Sequence, residues 1–256
     1  MKRSLLALLL AFTACGRVAD RPATMITPTR QEQPASSPAR EPIQVVAIGD
    51  SLAYGAGDET RAGLTGRLDE EFRSRGLHAG PSVNLGVNGA QTDDLLKRMK
   101  EPRMAATIGS ANVILLSIGA NDLFRSPGSR EEAFRTPLLV ASRILERIAQ
   151  VVAEVHRLNP DAQVLILGGY NPVPRHPHAK LIDHSIGLWD EALVGRFEDD
   201  ALVTIVPMAD LVPASRLSRF DSFHPGSVAY REVARRIAAM LAEDSVSRPR
   251  TGEGGK

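Results

Sequence analysis

The 256-residue chain has 31 Lys and Arg against 30 Asp and Glu, 43% hydrophobic residues and one cysteine. This balance is typical of a globular protein and provides no basic excess for nucleic acid, so no nucleic-acid partner is expected. Aromatic residues are only 4% of the chain, too few for a stacking platform along bases or glycans. The single cysteine excludes an internal disulfide and a thiolate zinc cluster.

The N-terminus has the pattern of a targeting signal. Lys-Arg at 2–3 precedes an apolar stretch over 5–12 that is too short to span a bilayer, and Thr-Ala-Cys follows at 13–15. These three residues resemble the lipobox of bacterial lipoproteins, which implies a signal peptide over 1–14 and lipidation of Cys15. The protein would then be anchored by lipid to a membrane of the bacterial cell envelope, facing outside the cytoplasm. The alternative is a plain secretory signal and a secreted or periplasmic protein.

The composition divides the rest of the chain into a linker, one domain and a tail. The region 15–42 contains five prolines among Thr, Ser, Gln and Arg, which predicts an extended linker. The last residues, 244–256, end in Thr-Gly-Glu-Gly-Gly-Lys and predict a disordered tail. The folded domain is therefore expected over 43–243.

Short β-branched or leucine-rich runs alternate with amphipathic stretches through this domain. The longest amphipathic stretch covers about Arg130–Leu158, and a final helix is expected to start near Gly226. The alternation predicts a three-layer α/β/α sandwich around a five-stranded parallel sheet. The predicted strands are Ile43–Ile48, Ser82–Leu85, Asn112–Ile118, Gln163–Leu167 and Leu202–Val206.

Polar residues follow four of the predicted strands, where a parallel α/β sheet binds its ligands. Gly-Asp-Ser-Leu at 49–52 follows the first strand, and Asn-Leu-Gly-Val-Asn-Gly at 84–89 includes the end of the second. Gly-Ala-Asn-Asp at 119–122 follows the third, and Asp-Ser-Phe-His-Pro at 221–225 comes after the fifth. We expect these four segments to converge at one edge of the sheet.

These residue types suit nucleophilic acyl transfer. A serine hydroxyl such as that of Ser51 attacks only when a base takes its proton, and the base needs a third group to orient it. Asp221 and His224, three residues apart, can be that orienting group and that base. The backbone N–H groups of Ser51 and Gly89 and the side-chain amide of Asn121 can form an oxyanion hole.

All four segments, in this order, resemble the conserved blocks of the SGNH, or GDSL, hydrolases. The resemblance implies a flavodoxin-like fold, a nucleophile at Ser51, and Asp221 with His224 completing a catalytic triad. It also implies oxyanion donors at Ser51, Gly89 and Asn121. Leu-Gly-Val-Asn-Gly and Leu-Asn-Pro-Asp-Ala further resemble a subgroup of predicted bacterial lipoprotein esterases.

Other polar residues near these segments have simpler interpretations. Asp50 is interpreted as bonding its own loop, and Asp122 as capping a short helix. His176 and His178 have a spacing found in metal sites but no nearby carboxylate or cysteine, so they are interpreted as part of a loop over the site. No metal or cofactor is expected.

The function predicted from these features is a serine esterase acting on small-molecule or lipid acyl esters. Short acyl groups are expected because the loops around 54–56 and 170–178 contain few large apolar residues. A glycan O-deacetylase, a lysophospholipase or a thioesterase would use the same site, and these alternatives stay open. A non-catalytic binding lipoprotein is the alternative from another class.

Overall fold

The predicted sheet is present in the computed structural model, which describes residues 42–125 and 137–247. Its five strands are parallel and lie in the order β2-β1-β3-β4-β5. Each strand overlaps one predicted run, and β4 matches its run at both ends. The strands are β1 (Val45–Gly49), β2 (Val83–Asn84), β3 (Val113–Ser117), β4 (Gln163–Leu167) and β5 (Val203–Val206).

Helices connect successive strands and cover both faces of the sheet. Within the described ranges they are α1 (Ser51–Tyr54), α2 (Gly63–Ser74), α3 (Thr92–Arg98), α4 (Pro102–Gly109), α5 (Ala120–Arg125), α6 (Pro137–Leu158), α7 (Ala179–Arg196) and α8 (Ser227–Ser247). The long amphipathic stretch forms α6, which ends before Asn159-Pro160 because proline disfavours helical conformation in the residue that precedes it. The predicted start of that stretch, at 130–136, lies outside the described residues.

Two apolar cores, one on each face of the sheet, hold the layers together. Successive side chains of a strand point to opposite faces. In β1, Val46 and Ile48 pack with α3, α4 and α6, whereas Val45 and Ala47 pack with α2 and α8. Every residue of β1 and β3 is buried, as expected for strands covered on both sides. The fold is the predicted three-layer α/β/α sandwich.

The last helix extends beyond the predicted domain boundary. α8 continues to Ser247, so residues 244–247 of the predicted tail are helical. These four residues include no glycine or proline, which would interrupt a helix. The rest of the tail, the predicted signal peptide and the linker up to residue 41 lie outside the described residues. In the part of the chain that the structure covers, no helix is long and apolar enough to cross a membrane.

The strand order creates a switch point between β1 and β3. From β1 the chain moves outward to β2, then returns past β1 to form β3 on the other side. The loops that follow β1 and β3 therefore leave in opposite directions and open a crevice at the carboxyl ends of the strands. We call this end of the sheet, with the loops and helix ends beside it, the carboxyl edge. Ser51 follows β1 there, and Asn121 follows β3.

Candidate active site

Ser51 is the first residue of α1, where β1 turns into a single helical turn. The preceding residue, Asp50, caps this turn, because one of its carboxylate oxygens accepts a hydrogen bond from the backbone N–H of Leu52 at 3.0 Å. The same oxygen accepts a hydrogen bond from the hydroxyl of Ser117 on β3 at 2.7 Å. Asp50 therefore bonds its own loop, as interpreted from the sequence, and fixes the turn that carries Ser51.

The carboxyl group of Asp50 is difficult to ionise. Only 3% of this residue is exposed, and burial raises the pKa of the carboxyl to about 6. Hydrogen bonds from Ser117 and Leu52, together with the attraction of a protonated His224, oppose this rise without cancelling it.

Asp221 and His224 form a direct pair before the start of α8. One carboxylate oxygen of Asp221 lies 2.6 Å from Nδ1 of His224. The other oxygen accepts hydrogen bonds from the backbone N–H groups of Phe223 at 2.9 Å and His224 at 3.0 Å. Partial burial opposes ionisation, but these hydrogen bonds prevail and lower the pKa of Asp221. The carboxylate is thus charged and held by both oxygens.

Three contacts connect the segment 221–224 to the rest of the carboxyl edge. Gly57, with φ of +88°, lies so close that a Cβ on it would stand 2.6 Å from the Cβ of His224. The hydroxyl of Tyr170, after β4, donates a hydrogen bond to the carbonyl oxygen of Phe223 at 3.2 Å. The backbone N–H of Ser218 donates to the carbonyl oxygen of His224 at 2.7 Å.

Glu59, in the loop after α1, bonds to Arg219 and Ser227, which lie on either side of the Asp221–His224 pair in sequence. This role was not identified from the sequence. One carboxylate oxygen accepts a hydrogen bond from the backbone N–H of Arg219 at 2.9 Å. The other accepts hydrogen bonds from the backbone N–H of Ser227 at 2.7 Å and from its hydroxyl at 2.5 Å. Partial burial disfavours the charge, but these hydrogen bonds outweigh it and lower the pKa of Glu59 to about 2. No local motif indicates a contact between residues 168 positions apart.

The candidate oxyanion donors lie on neighbouring loops. Gly89 has φ of +78° in the loop after β2, a conformation that suits glycine. The side-chain nitrogen of Asn121 donates a hydrogen bond to the carbonyl oxygen of Ala90 at 3.0 Å, which joins this loop to the start of α5. An amide nitrogen carries two hydrogens, so the second can donate to a substrate oxygen. A Cβ on Gly86 would stand 2.3 Å from the backbone N of Tyr54, so the β2 loop also packs closely against α1.

Asp122 caps a helix, as predicted, but the helix is α3 rather than its own. Its carboxylate accepts hydrogen bonds from the hydroxyl of Thr92 at 2.6 Å and from the backbone N–H of Thr92 at 3.1 Å. A guanidinium nitrogen of Arg147, on α6, lies 3.6 Å from a carboxylate oxygen of Asp122. Asp122 therefore joins α3 to α5 beside the candidate oxyanion donors.

His176 and His178 lie in the loop after β4, at the carboxyl edge. The backbone N–H of His178 donates to Nδ1 of His176 at 3.2 Å, and the two rings are 5.5 Å apart. Within residues 42–125 and 137–247, no group of three or more His, Cys, Asp or Glu side chains is arranged to hold a metal. Cys15, the predicted lipidation site, lies outside the described residues.

Comparison with known proteins identifies the family. The model of the GDSL-like lipase/acylhydrolase family matches residues 47–232, which cover the four motif-bearing loops. The chain therefore belongs to this family, the SGNH hydrolases, and is a hydrolase by that membership. It is 27% identical over 217 residues to YpmR of Bacillus subtilis (strain 168), described as an uncharacterized protein, over 81% of this chain and 84% of YpmR.

Solved structures share the fold over most of the chain. The lipase Lip_vut3 from a goat rumen metagenome has 21% identity and a TM-score of 0.64, covering 77% of this chain and 96% of the lipase. A lipase/acylhydrolase from Enterococcus faecalis has 18% identity and a TM-score of 0.56, covering 78% of this chain and 95% of that protein. The similarity to both confirms the predicted sandwich.

Proposed function

We propose that the protein is a serine carboxylic ester hydrolase that acts through Ser51, His224 and Asp221. The observation that carries the proposal is the Asp221–His224 pair, in which the carboxylate lies 2.6 Å from Nδ1. This contact leaves Nε2 as the ring nitrogen that accepts a proton from a serine hydroxyl. Membership of a lipase/acylhydrolase family and the position of Ser51 at the same sheet edge support the assignment.

In the first half-reaction, Oγ of Ser51 attacks the carbonyl carbon of the ester while Nε2 of His224 takes the serine proton. The negative charge that forms on the carbonyl oxygen is stabilised by the N–H groups of Ser51 and Gly89 and by the amide of Asn121. The carbon–oxygen bond to the alcohol then breaks, and His224 gives its proton to the departing alcohol. Ser51 is left carrying the acyl group.

In the second half-reaction, water attacks the acyl-enzyme. Nε2 of His224 takes a proton from the water, and the same oxyanion donors stabilise the second tetrahedral intermediate. The bond to Ser51 breaks, the serine regains its proton from His224, and the carboxylic acid leaves. Asp221 stays ionised throughout and stabilises the imidazolium. All groups in this scheme belong to the chain, so it uses no cofactor.

The preferred soluble substrates are esters of short acyl groups. Tyr54 is 56% exposed and Val173 is 40% exposed, so neither side chain encloses a deep acyl pocket. A long chain therefore gains little contact area over a short one. A series of chromogenic esters from acetyl to palmitoyl tests this preference, and an optimum at ten carbons or more would contradict it. Acetylated glycans, lysophospholipids and thioesters belong in the same panel, because the acyl-transfer steps are shared.

Labelling with a fluorophosphonate tests the proposed nucleophile. We expect the purified protein to be modified at Ser51, and Ser51→Ala to lose both the label and ester hydrolysis. His224→Ala should slow both by a thousandfold or more, in line with the loss of other triad members. A protein that binds ligands without catalysis would not react. Modification at another serine, or turnover by Ser51→Ala above about a hundredth of wild type, would refute the assignment.

We further propose that Cys15 carries lipid and anchors the enzyme to the cell envelope. The proposal is supported by the basic start, the short apolar stretch and the lipobox-like Thr-Ala-Cys at 13–15. The proline-containing segment 16–42 would then connect the lipid to the catalytic domain as a tether.

A further inference from the structure

Exposed large apolar side chains are concentrated at the carboxyl edge. Of ten such side chains among the described residues, eight lie in loops or helix ends at this edge, and only Leu188 and Val194 lie farther along α7. Exposed apolar residues on soluble proteins are ordinarily scattered, and their concentration marks a contact surface. Six of the eight, which we call the apolar rim, are Tyr54, Val87, Val173, Leu181, Phe220 and Phe223.

The apolar rim belongs to the loops that carry the proposed catalytic groups. Tyr54 ends the helix that begins with Ser51, and Phe220 and Phe223 flank Asp221 in sequence. The ring of Phe223 packs edge-on against that of His224, with 5.1 Å between their centroids. Phe220 is nevertheless 70% exposed, so this aromatic side chain projects into solvent beside the proposed site.

Cationic side chains accompany the apolar rim. Arg61, Arg175, Lys180 and Arg219 are exposed at the carboxyl edge, and none is in an ion pair with another described residue. Lys180 adjoins Leu181, and Arg219 adjoins Phe220. The carboxylates beside these cations are engaged within the protein: Asp221 pairs with His224 and Asp210 with Arg236, Glu59 accepts hydrogen bonds from Arg219 and Ser227, and Asp183 accepts one from Asn171. The four cations are therefore the charged groups at this edge that can meet a partner's anions directly.

We propose that the apolar rim docks on an anionic lipid surface and that the enzyme cleaves ester bonds of lipids presented there. This inference rests on the proposed esterase function. Apolar side chains that enter the boundary between headgroups and acyl chains, flanked by cations that meet lipid phosphates, are the elements of such a contact. A protein partner on this face would cover Ser51, whereas a lipid surface delivers substrate to it. A shallow site is sufficient because the rest of the lipid chain stays in the surface.

Vesicle co-sedimentation tests the proposal independently of catalysis. The full chain carrying Cys15→Ser and Ser51→Ala, which has neither the lipidation site nor the nucleophile, is mixed with phosphatidylcholine vesicles with and without phosphatidylglycerol. The rim variant adds Phe220→Ser and Leu181→Ser, whose side chains are 70% and 63% exposed. The matched control adds Leu188→Ser and Val194→Ser, 52% and 55% exposed but away from the edge. A charge variant adds Lys180→Gln and Arg219→Gln.

We expect the parent to bind vesicles that contain phosphatidylglycerol, the rim variant to bind about tenfold more weakly or worse, and the control to stay within about twofold. The charge variant should lose the preference for anionic vesicles. Thermal unfolding checks that each variant is folded, and the charge variant provides a second measure should the rim variant unfold. Equal losses in the rim and control variants, no binding by the parent, or a solution dimer that the rim substitutions abolish would each overturn the proposal.

Hydrolysis of soluble esters by the chain with intact Ser51 separates this inference from the proposed function. Rim-dependent binding without hydrolysis of any ester would refute the esterase function while supporting the lipid contact. Hydrolysis of soluble esters without rim-dependent vesicle binding would support the esterase and overturn the lipid contact.

Discussion

The spacing of Asp221 and His224 has a direct geometric reason. With two residues between them, one carboxylate oxygen reaches the backbone N–H groups of Phe223 and His224 while the other reaches the imidazole ring. Ser222 must then adopt φ of +54°, a left-handed conformation that costs a non-glycine residue about 1 kcal/mol. The hydrogen bonds of Asp221 hold the loop in this conformation and fix the direction of Nδ1.

At Asn121, we predict a loss of catalysis without a loss of binding. Asn121→Ala should lower kcat of ester hydrolysis by about a hundred to a thousandfold with little change in KM, because the amide binds charge that forms only in the transition state. Steady-state kinetics on a short-chain ester measure both constants. Asn159→Ala is the control, since that amide donates to Ala111 and lies away from the carboxyl edge. A defect of Asn121→Ala confined to KM would contradict the oxyanion role.

At Asp50, we predict a pH-dependent gain in stability on substitution. Its pKa is raised from 3.8 to about 6 in the folded protein, so its contribution to stability is present below pH 4 and is lost as the pH rises through 6. Asn at this position retains an acceptor oxygen but cannot ionise. The free energy of unfolding of Asp50→Asn relative to wild type should therefore increase by up to about 3 kcal/mol between pH 4 and pH 7. Chemical denaturation across this range would contradict the prediction if the two stability curves stayed parallel.

At the scale of elements, Glu59 joins the nucleophile side of the site to the histidine side. It belongs to the segment between α1 and α2, and its carboxylate receives hydrogen bonds from Arg219 before the Asp221–His224 pair and from Ser227 after it. The antiparallel bridge between Leu217 and Pro225 closes the same segment on itself. Movement of this segment relative to α1 is therefore resisted at both of its ends.

Substitution of Glu59 should misplace the histidine relative to the nucleophile. We expect Glu59→Gln to lower kcat by about tenfold or more with KM nearly unchanged, because small displacements of catalytic groups are costly and one amide cannot accept on both of its polar atoms. Steady-state kinetics and the rate of fluorophosphonate labelling of Ser51 measure the effect. Asp69→Ala is the control, since one carboxylate oxygen of Asp69 accepts hydrogen bonds from the backbone and hydroxyl of Ser82 at 3.0 and 2.6 Å, and alanine removes both.

Both variants should lose stability, but only Glu59→Gln should lose turnover. Asp69 lies on α2, and its partner Ser82 precedes β2, so that pair is at the opposite end of the sheet from the proposed site. Equal kcat values for the two variants, measured well below their unfolding temperatures, would show that Glu59 acts on stability alone.

At the scale of the whole molecule, the proposed lipid on Cys15 should determine where the protein is located without changing its catalytic activity. If the 27 residues at 16–42 behave as a flexible coil, their mean reach is about 30 Å, and the active site can then reach nearby surface. Cys15→Ser should release the protein from the membrane fraction while leaving its kcat on soluble short-chain esters unchanged. Mass spectrometry of the N-terminus and fractionation of cells measure these outcomes. Wild type found wholly in the culture fluid with an unmodified cysteine would exclude the anchor.

The layers and the pair at 221–224 were predictable because their signals are local or periodic. β3 is apolar on both faces, so its sequence alone indicates a strand covered by helices, and the switch-point rule brings the loops after β1 and β3 together. Asp221 and His224 are three residues apart and meet within one loop. The extent of α8 was less predictable, because residues 244–247 are polar enough to suggest a tail but contain no glycine or proline to interrupt the helix.

The sequence by itself determined the order of strands and helices, the family motifs and the residue types available for chemistry. Only the tertiary structure decided how those groups are held, since Glu59 reaches Ser227 across 168 positions and Asp122 reaches Thr92 across 30. It also decided the raised pKa of Asp50, because desolvation depends on atoms that β3 and the other strands bring around the carboxylate. Long-range contacts and burial depend on the packed chain as a whole, and no local pattern encodes them.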